Sequence, residues 1–476
     1  MPQDKLEKTL ATVLRRITPK AEERSRMNSL VKELEKRVTA VAKTFGLEVQ
    51  VRVEGSVAKD TWLSKEPDID VFMRIPKTVP RSSLGKACLE IARKATEGSV
   101  QVERFAEHPY LEAFVDGTRV NIVPCYSTNH GEWLSATDRT PFHTDFVLEH
   151  LSNEMRSDVR LLKRFMKGVG VYGAEIKVGG FSGYLCELLA LHYGSFVAVL
   201  KAFAGYRHRI EVDIEGSYNG REDELRLLFE EPLVVVDPVD KGRNVASAVN
   251  MKKLCYFVAA ARAFLKKPRL AFFYPPKTTA LVTKELGRML KNRGSAVVFV
   301  VFTGIKTVPD VLWGQLYKSQ HSLCKLLQLN DFKILRETAW SDEKELNMFV
   351  FELDSSCITP IKKHLGPPLD KEKECEKFIA KYVNNQNTVC GPYVEDGRWT
   401  ALIKRKSSDA RELLREKLKD GGRNAGMAEG ISQLLLKGFK ILVNEEIVCV
   451  YERNEEFAVF LTEFLRDRSK WLEDPA

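Results

Sequence analysis

The sequence has no apolar run long enough to cross a membrane. Its longest, over 254–261 and 296–302, fall far below the roughly 20 residues that a spanning helix needs. No apolar signal core follows Met1-Pro2-Gln3-Asp4-Lys5, so a cytoplasmic protein without membrane attachment is expected. Cysteine is sparse: nine residues, an odd number, scattered and never in Cys-x-x-Cys spacing. That argues against a disulfide scaffold and a thiolate zinc site. Internal repeats and low-complexity tracts are also missing, which removes solenoids and linker arrays. A 44% hydrophobic and 29% charged composition excludes wholesale disorder.

What is present is length and a modest surplus of positive charge. At ~150 residues per domain, 476 residues suggest about three. The net charge of +9, with a pI near 8.9, suits a basic face for a polyanion. It suits an ordinary enzyme equally well.

The pattern divides the chain. Helical spacing of Leu30, Leu34, Val38, Val41 and Phe45 predicts a helix over 22–45. Strands are predicted over 47–54, 69–75, 100–105, 110–115 and 118–123, with a helix over 84–96. Asp116-Gly117 is a strong hairpin turn signal. Residues 146–265 read as mostly helical, and Pro275-Pro276 suggests a boundary. Beyond it, strand 296–302, helix 311–327 and strands 332–338 and 348–353 form a βαββ series suited to a small ferredoxin-like sheet. The expected fold class is α/β (α+β), with a mixed-sheet head over 1–145, a helical neck over 146–275, and an α/β body and tail over 276–476.

The chemistry concentrates in Gly55-Ser56-Val57-Ala58-Lys59, followed by Asp68-Ile69-Asp70. Alternation along a strand puts Asp68 and Asp70 on one face and Ile69 and Val71 on the other. Two such carboxylates can grip Mg²⁺, which takes oxygen ligands shared with substrate phosphates. The Gly-Ser turn offers N–H groups and a hydroxyl to a triphosphate, and Lys59 adds a point charge. An Asp-x-Asp alone also fits a solvated strand edge.

The order, with Ser56 set 12 residues before Asp68, resembles the nucleotidyltransferase superfamily that includes DNA polymerase β, poly(A) polymerases and CCA-adding enzymes. That resemblance implies a two-metal Mg²⁺ site completed by a third carboxylate on a later strand. The matching strand is Arg119-Val120-Asn121-Ile122-Val123, so Asn121 stands where the family has Asp. An amide cannot take a proton from a 3′-hydroxyl and carries no charge for a metal. Impaired chemistry is therefore expected. An introduced substitution and a natural change of activity are both open.

Further stretches resemble the class I, archaeal-type CCA-adding enzymes, which are tRNA nucleotidyltransferases. They are Thr140-Pro141-Phe142-His143, Arg160-Leu161-Leu162-Lys163, Gly170-Val171-Tyr172-Gly173, Gly180-Phe181-Ser182-Gly183-Tyr184, Asp237-Pro238-Val239-Asp240 and Arg243-Asn244-Val245-Ala246. The resemblance implies addition of C, C and A to tRNA from CTP and ATP without a template. It implies that Asp68 and Asp70 hold metal, and that Gly55, Ser56 and Lys59 lie at the triphosphate. Thr140, His143, Lys163 and Tyr172 should meet the triphosphate or sugar, and Arg243 the base edge. Each of these side chains on its own also fits a packed or solvated role. Glu187, flanked by apolar residues, is read as an internal partner. In the C-terminal third, Lys404, Arg405, Lys406, Arg411 and Arg415 are candidate contacts to the tRNA acceptor stem. A poly(A)- or oligoadenylate-type transferase and a non-catalytic tRNA-binding relative are the rival readings. The oligomeric state is left open, a homodimer being one arrangement.

Overall fold

The computed structural model describes residues 2–105, 108–304 and 307–472. The chain divides into two compact units, 1–277 with 468–476, and 278–467. The expected division at 145/146 runs through the first unit, and the end of the expected tail returns to it.

The first unit opens with helices α1 (Pro2–Ile17) and α2 (Ala21–Thr44). Met27, Leu30, Leu34, Val38 and Ala42 make the buried stripe of α2. They meet a mixed sheet of β1 (Gln50–Glu54), β2 (Asp68–Ile75), β3 (Val100–Phe105), β4 (Pro109–Val115) and β5 (Thr118–Tyr126). A four-residue helix α3 (Gly55–Ala58) follows β1, and α4 (Arg81–Ala95) packs on the same apolar face as α2. The strand order is β1-β2-β5-β4-β3, and β2 runs parallel to β5. Ile69, Val71, Met73 and Ile75 alternate into the core, which leaves Asp68 and Asp70 on the opposite face. Asp116 and Gly117 turn β4 into β5 with φ of +49° and +74°, as a two-residue hairpin loop of this hand requires.

The rest of this unit is helical around an aromatic core. It comprises α5 (Thr140–His150), α6 (Asn153–Val169), α7 (Gly183–Tyr193), α8 (Phe196–Ala204), α9 (Glu222–Leu228) and α10 (Met251–Lys266). A short parallel pair, β6 (Ile210–Val212) and β7 (Leu233–Val235), lies among them. Phe165 on α6 packs against Phe196, Phe257, Phe264, Phe272 and Phe273. Trp471 stacks on Phe272 with centroids 5.2 Å apart, which ties the chain end to this core. Among the described residues no single helix is long and apolar enough to cross a membrane.

The second unit contains α11 (Thr283–Lys291), β8 (Ala296–Thr303), α12 (Pro309–Leu329), β9 (Ile334–Ser341) and β10 (Leu346–Leu353). Then come β11 (Ile361–Pro368), α13 (Glu372–Tyr382), β12 (Thr388–Glu395), β13 (Arg398–Lys404), α14 (Ala410–Leu418), α15 (Glu429–Lys437) and β14 (Phe439–Val443). Helices α16 (Val448–Tyr451) and α17 (Glu455–Arg466) close it. The sheet order β14-β8-β10-β9 is the ferredoxin-like one. Its fourth strand arrives only after an insertion that carries a separate sheet, β11-β13-β12. Helices cover both faces of β8, which explains its unbroken apolar run.

Glu352 on β10 is buried and accepts from Arg293 Nε at 2.5 Å, Ser295 Oγ at 2.6 Å and Arg336 Nε at 2.9 Å. Burial pushes its carboxyl up, but these donors outweigh that and hold it at about 2. Its ionised form therefore stabilises the fold above the ordinary value of 4.5, and that stability is lost as pH falls through about 2. Urea unfolding between these pH values is expected to show a shallower pH dependence in Glu352→Gln than in the unsubstituted chain. Parallel curves would contradict this.

Candidate active site

The sheet brings Asp70 and Asn121 side by side. They are register partners on β2 and β5, and Asn121 Nδ2 donates to Asp70 Oδ1 at 2.9 Å. Burial raises the Asp70 carboxyl, the Asn121 hydrogen bond offsets part of this, and the Asp68 charge adds to the rise. Asp68 pairs with its own register partner: Arg119 Nε donates to Oδ1 at 2.8 Å and Nη2 to Oδ2 at 2.5 Å. Arg119 therefore stands beside the carboxylate that was expected to take metal. Among the described residues no group of three carboxylate, His or Cys side chains is placed to hold a metal. The donor set is oxygen only, two carboxylates and one amide, which fits a hard divalent cation but with one charge fewer.

Gly55 is required at its position on two counts. Its φ is +72°, and a Cβ there would lie 2.3 Å from Asp70 Oδ2. Any other residue would push Asp70 off its place. The Ser56 side chain, next along, has no hydrogen bond among the described residues.

Lys59 differs from expectation. It is buried, and its Nζ donates to Glu187 Oε2 at 2.5 Å instead of facing an open turn. Lys163 is buried as well and donates to Glu187 Oε1 at 2.9 Å and to Thr61 Oγ1 at 3.0 Å. Thr61 Oγ1 itself donates to Glu187 Oε1 at 2.6 Å. One carboxylate from α7 thus faces two lysines. Burial opposes ionisation of Glu187, but Lys163 and Lys59 outweigh it and hold its pKa below the usual range. Burial lowers that of Lys163 despite Glu187. Tyr172 joins this cluster, since a Cβ on Gly183 would lie 3.0 Å from its hydroxyl and 3.6 Å from Lys163 Nζ.

A second buried carboxylate organises the other side. Asp237 has no exposed surface and receives His143 Nε2 at 2.9 Å and Arg243 Nη1 at 2.7 Å. Asp138, also fully buried, accepts the backbone N–H groups of Tyr126, Leu134 and Ser135. It thereby fixes the entry to α5, on which Thr140 and His143 lie one turn apart. Tyr184 links the two clusters: it stacks on His143 with centroids 4.2 Å apart, and Lys59 Nζ lies 5.6 Å from its ring centre. Burial lowers the pKa of His143 in spite of Asp237.

The structure therefore gathers Lys59 and Lys163 around Glu187, with the Tyr172 hydroxyl near Lys163, and His143 and Arg243 around Asp237. Asp237 and Tyr184 were not singled out from the sequence, although both lie inside motifs quoted there. The basic candidates of the second unit separate. Arg405 pairs with Asp331 and donates to Thr359 O at 2.9 Å, and Arg411 pairs with Glu446 at 2.7 Å. Lys404, Lys406 and Arg415 are exposed.

A Gly-Ser turn, an Asp-x-Asp strand and a facing residue on a parallel neighbour define a nucleotidyltransferase. Three protein-family models match the chain: "Nucleotidyltransferase domain" over 31–151, "tRNA nucleotidyltransferase, second domain" over 157–274, and "CCA-adding enzyme, C-terminal domain" over 293–444. The CCA-adding enzyme of Methanosarcina acetivorans is 38% identical over 456 residues, 95% of this chain and 97% of its own. That of Methanothermobacter thermautotrophicus is 36% identical over 459 residues, 96% of this chain and 97% of its own. That of Pyrobaculum neutrophilum is 38% identical over 421 residues, 87% and 94% respectively. The chain belongs to the family of CCA-adding enzymes.

Glu187→Gln would leave two lysines buried against a neutral side chain. A loss of about 3–5 kcal/mol of unfolding free energy is expected, read from urea titration. A loss below about 1 kcal/mol would mean that the lysines find other partners.

Proposed function

We propose that this chain adds C, C and A to the 3′ end of tRNA from CTP and ATP, with release of pyrophosphate and without a nucleic-acid template. The observation that carries this reading is its similarity, over nearly the whole length, to relatives named for that addition. In this reading Gly55 and Ser56 receive the triphosphate. Lys59 and Lys163 supply positive charge, and Thr140, Tyr172 and His143 contact the triphosphate or sugar. Arg243 meets the base. The tRNA 3′-hydroxyl attacks the α-phosphate in line with the departing pyrophosphate. Asp68 and Asp70 would hold Mg²⁺, which when bound would supply positive charge to stabilise the transferring phosphoryl group. Exposed Lys404, Lys406 and Arg415 are offered to the phosphates of the acceptor stem.

Asn121 impairs the chemistry in this reading. A carboxylate there would face Asp70 as a like charge, and a bound cation would relieve the repulsion. The amide relieves it with a hydrogen bond and so removes much of the demand for metal.

The test compares the chain with Asn121→Asp on tRNA lacking its last three nucleotides. CMP and AMP addition is expected to rise about 10²–10⁴-fold in the variant. Tailing from ATP alone would replace this reading with a poly(A)-type transferase, and equal rates would remove residue 121 from the chemistry.

A second measurement needs no turnover. Without divalent metal, Asn121→Asp should melt below the unsubstituted chain, and Mg²⁺ should raise its melting temperature more. Identical responses to Mg²⁺ would overturn the role given to Asn121.

A further inference from the structure

Asp237 is saturated as an acceptor. Oδ2 takes Arg243 Nη1 and His143 Nε2, while Oδ1 takes Val239 N–H at 3.0 Å and the Tyr184 hydroxyl at 3.2 Å. The donors come from α5, from α7 and from the loop after β7. That loop also closes on itself: Asp237 N–H donates to Arg243 O at 3.0 Å, and Arg243 N–H to Asp240 O at 2.9 Å. Arg139 Nε on Asp240 Oδ2, at 2.8 Å, adds a second tie from the start of α5.

Arg243 is therefore held at one corner and free at the others. Among the described residues its guanidinium makes one hydrogen bond, through Nη1, and its side chain is 38% exposed. A guanidinium only donates. It matches bases whose Watson–Crick ring nitrogen is an acceptor, N3 of cytosine and N1 of adenine. Uracil N3 and guanine N1 carry hydrogen and meet it donor to donor. This distinction holds only while the guanidinium keeps its orientation. A fork free to swing can reach a carbonyl oxygen of uracil or guanine instead.

We infer that Asp237 is a specificity-determining positioning residue, which fixes the edge that Arg243 presents and so separates C and A from U and G. The inference rests on the reading of Arg243 as the base contact. Because His143 shares the same oxygen, one buried carboxylate sets both the base contact and a triphosphate contact.

The experiment has two parts. In full-length chain carrying Asn121→Asp, kcat/KM is measured for CTP and UTP on tRNA lacking its last three nucleotides, with Asp237→Asn, Arg243→Lys and both together. The preference for CTP is expected to fall about tenfold or more in each single variant. In the double variant the losses should not add, since both remove one device. Asp237→Glu, which keeps the charge, should retain more preference than Asp237→Asn.

The second part measures equilibrium binding of CTP and UTP to the unsubstituted chain and to Asp237→Asn, which requires no catalysis. Weaker binding of CTP with binding of UTP retained supports the inference. An equal loss for both nucleotides, or additive losses in the double variant, marks Asp237 as merely structural and overturns it. If the unsubstituted chain binds neither nucleotide, the reading of the site fails and takes the inference with it.

Discussion

One carboxylate facing two lysines underlies the site. Glu187 lies on α7, Lys163 on α6, and Lys59 just past the Gly-Ser turn. Taking an ammonium out of water costs several kcal/mol, so neither lysine can stay charged and buried without that partner. The pairing welds the loop that leaves β1 to the helices that follow the sheet. Arg160 completes the weld, donating from α6 to Trp62 O at 3.1 Å and pairing with Asp60 at 2.9 Å. Position and charge come from the same contacts: the loop is held by the two buried lysines and the carboxylate they share.

Asp237 repeats this logic with a different balance. Burial penalises its ionised form, but the hydrogen bonds and charges of His143 and Arg243 outweigh the penalty and hold its pKa below the ordinary value. The two carboxylates divide the site. Glu187 serves a side whose cations are buried, and Asp237 a side whose arginine stays partly exposed. Tyr184, between His143 and Lys59, makes the two halves neighbours.

Much of the first unit was legible in the sequence because its signals are local. Alternation in 69–75 placed Asp68 and Asp70 on one face, and Asp116-Gly117 marked a real hairpin. The inward turn of Lys59 was not legible, because its partner lies 128 residues away and nothing local points to it. Glu187 gave a weak sign, a charge within an apolar stretch, and was read only as an internal partner. The sheet β11-β13-β12 was missed for another reason. Its strands are mostly half-buried or exposed, and its small apolar cluster of Phe378, Tyr382 and Ala401 leaves hydrophobic alternation faint. The fourth strand of the ferredoxin-like sheet is short, and it is separated from the others by that insertion.

Family membership and chemical competence rest on different residues here. The contacts that organise the site, through Glu187 and Asp237, do not involve residue 121. In the proposed reading, a change there leaves these contacts in place while it alters the hold on a divalent cation. Asp70 has a neutral hydrogen-bond donor across the ladder, and Asp68 is clamped by Arg119. Each carboxylate that could attract a cation is thus partly satisfied within the protein. In the proposed reading, a third carboxylate at 121 would repel Asp70, and relief of that repulsion would become part of the binding energy for a divalent cation. The hydrogen bond from Asn121 to Asp70 leaves no such repulsion to relieve.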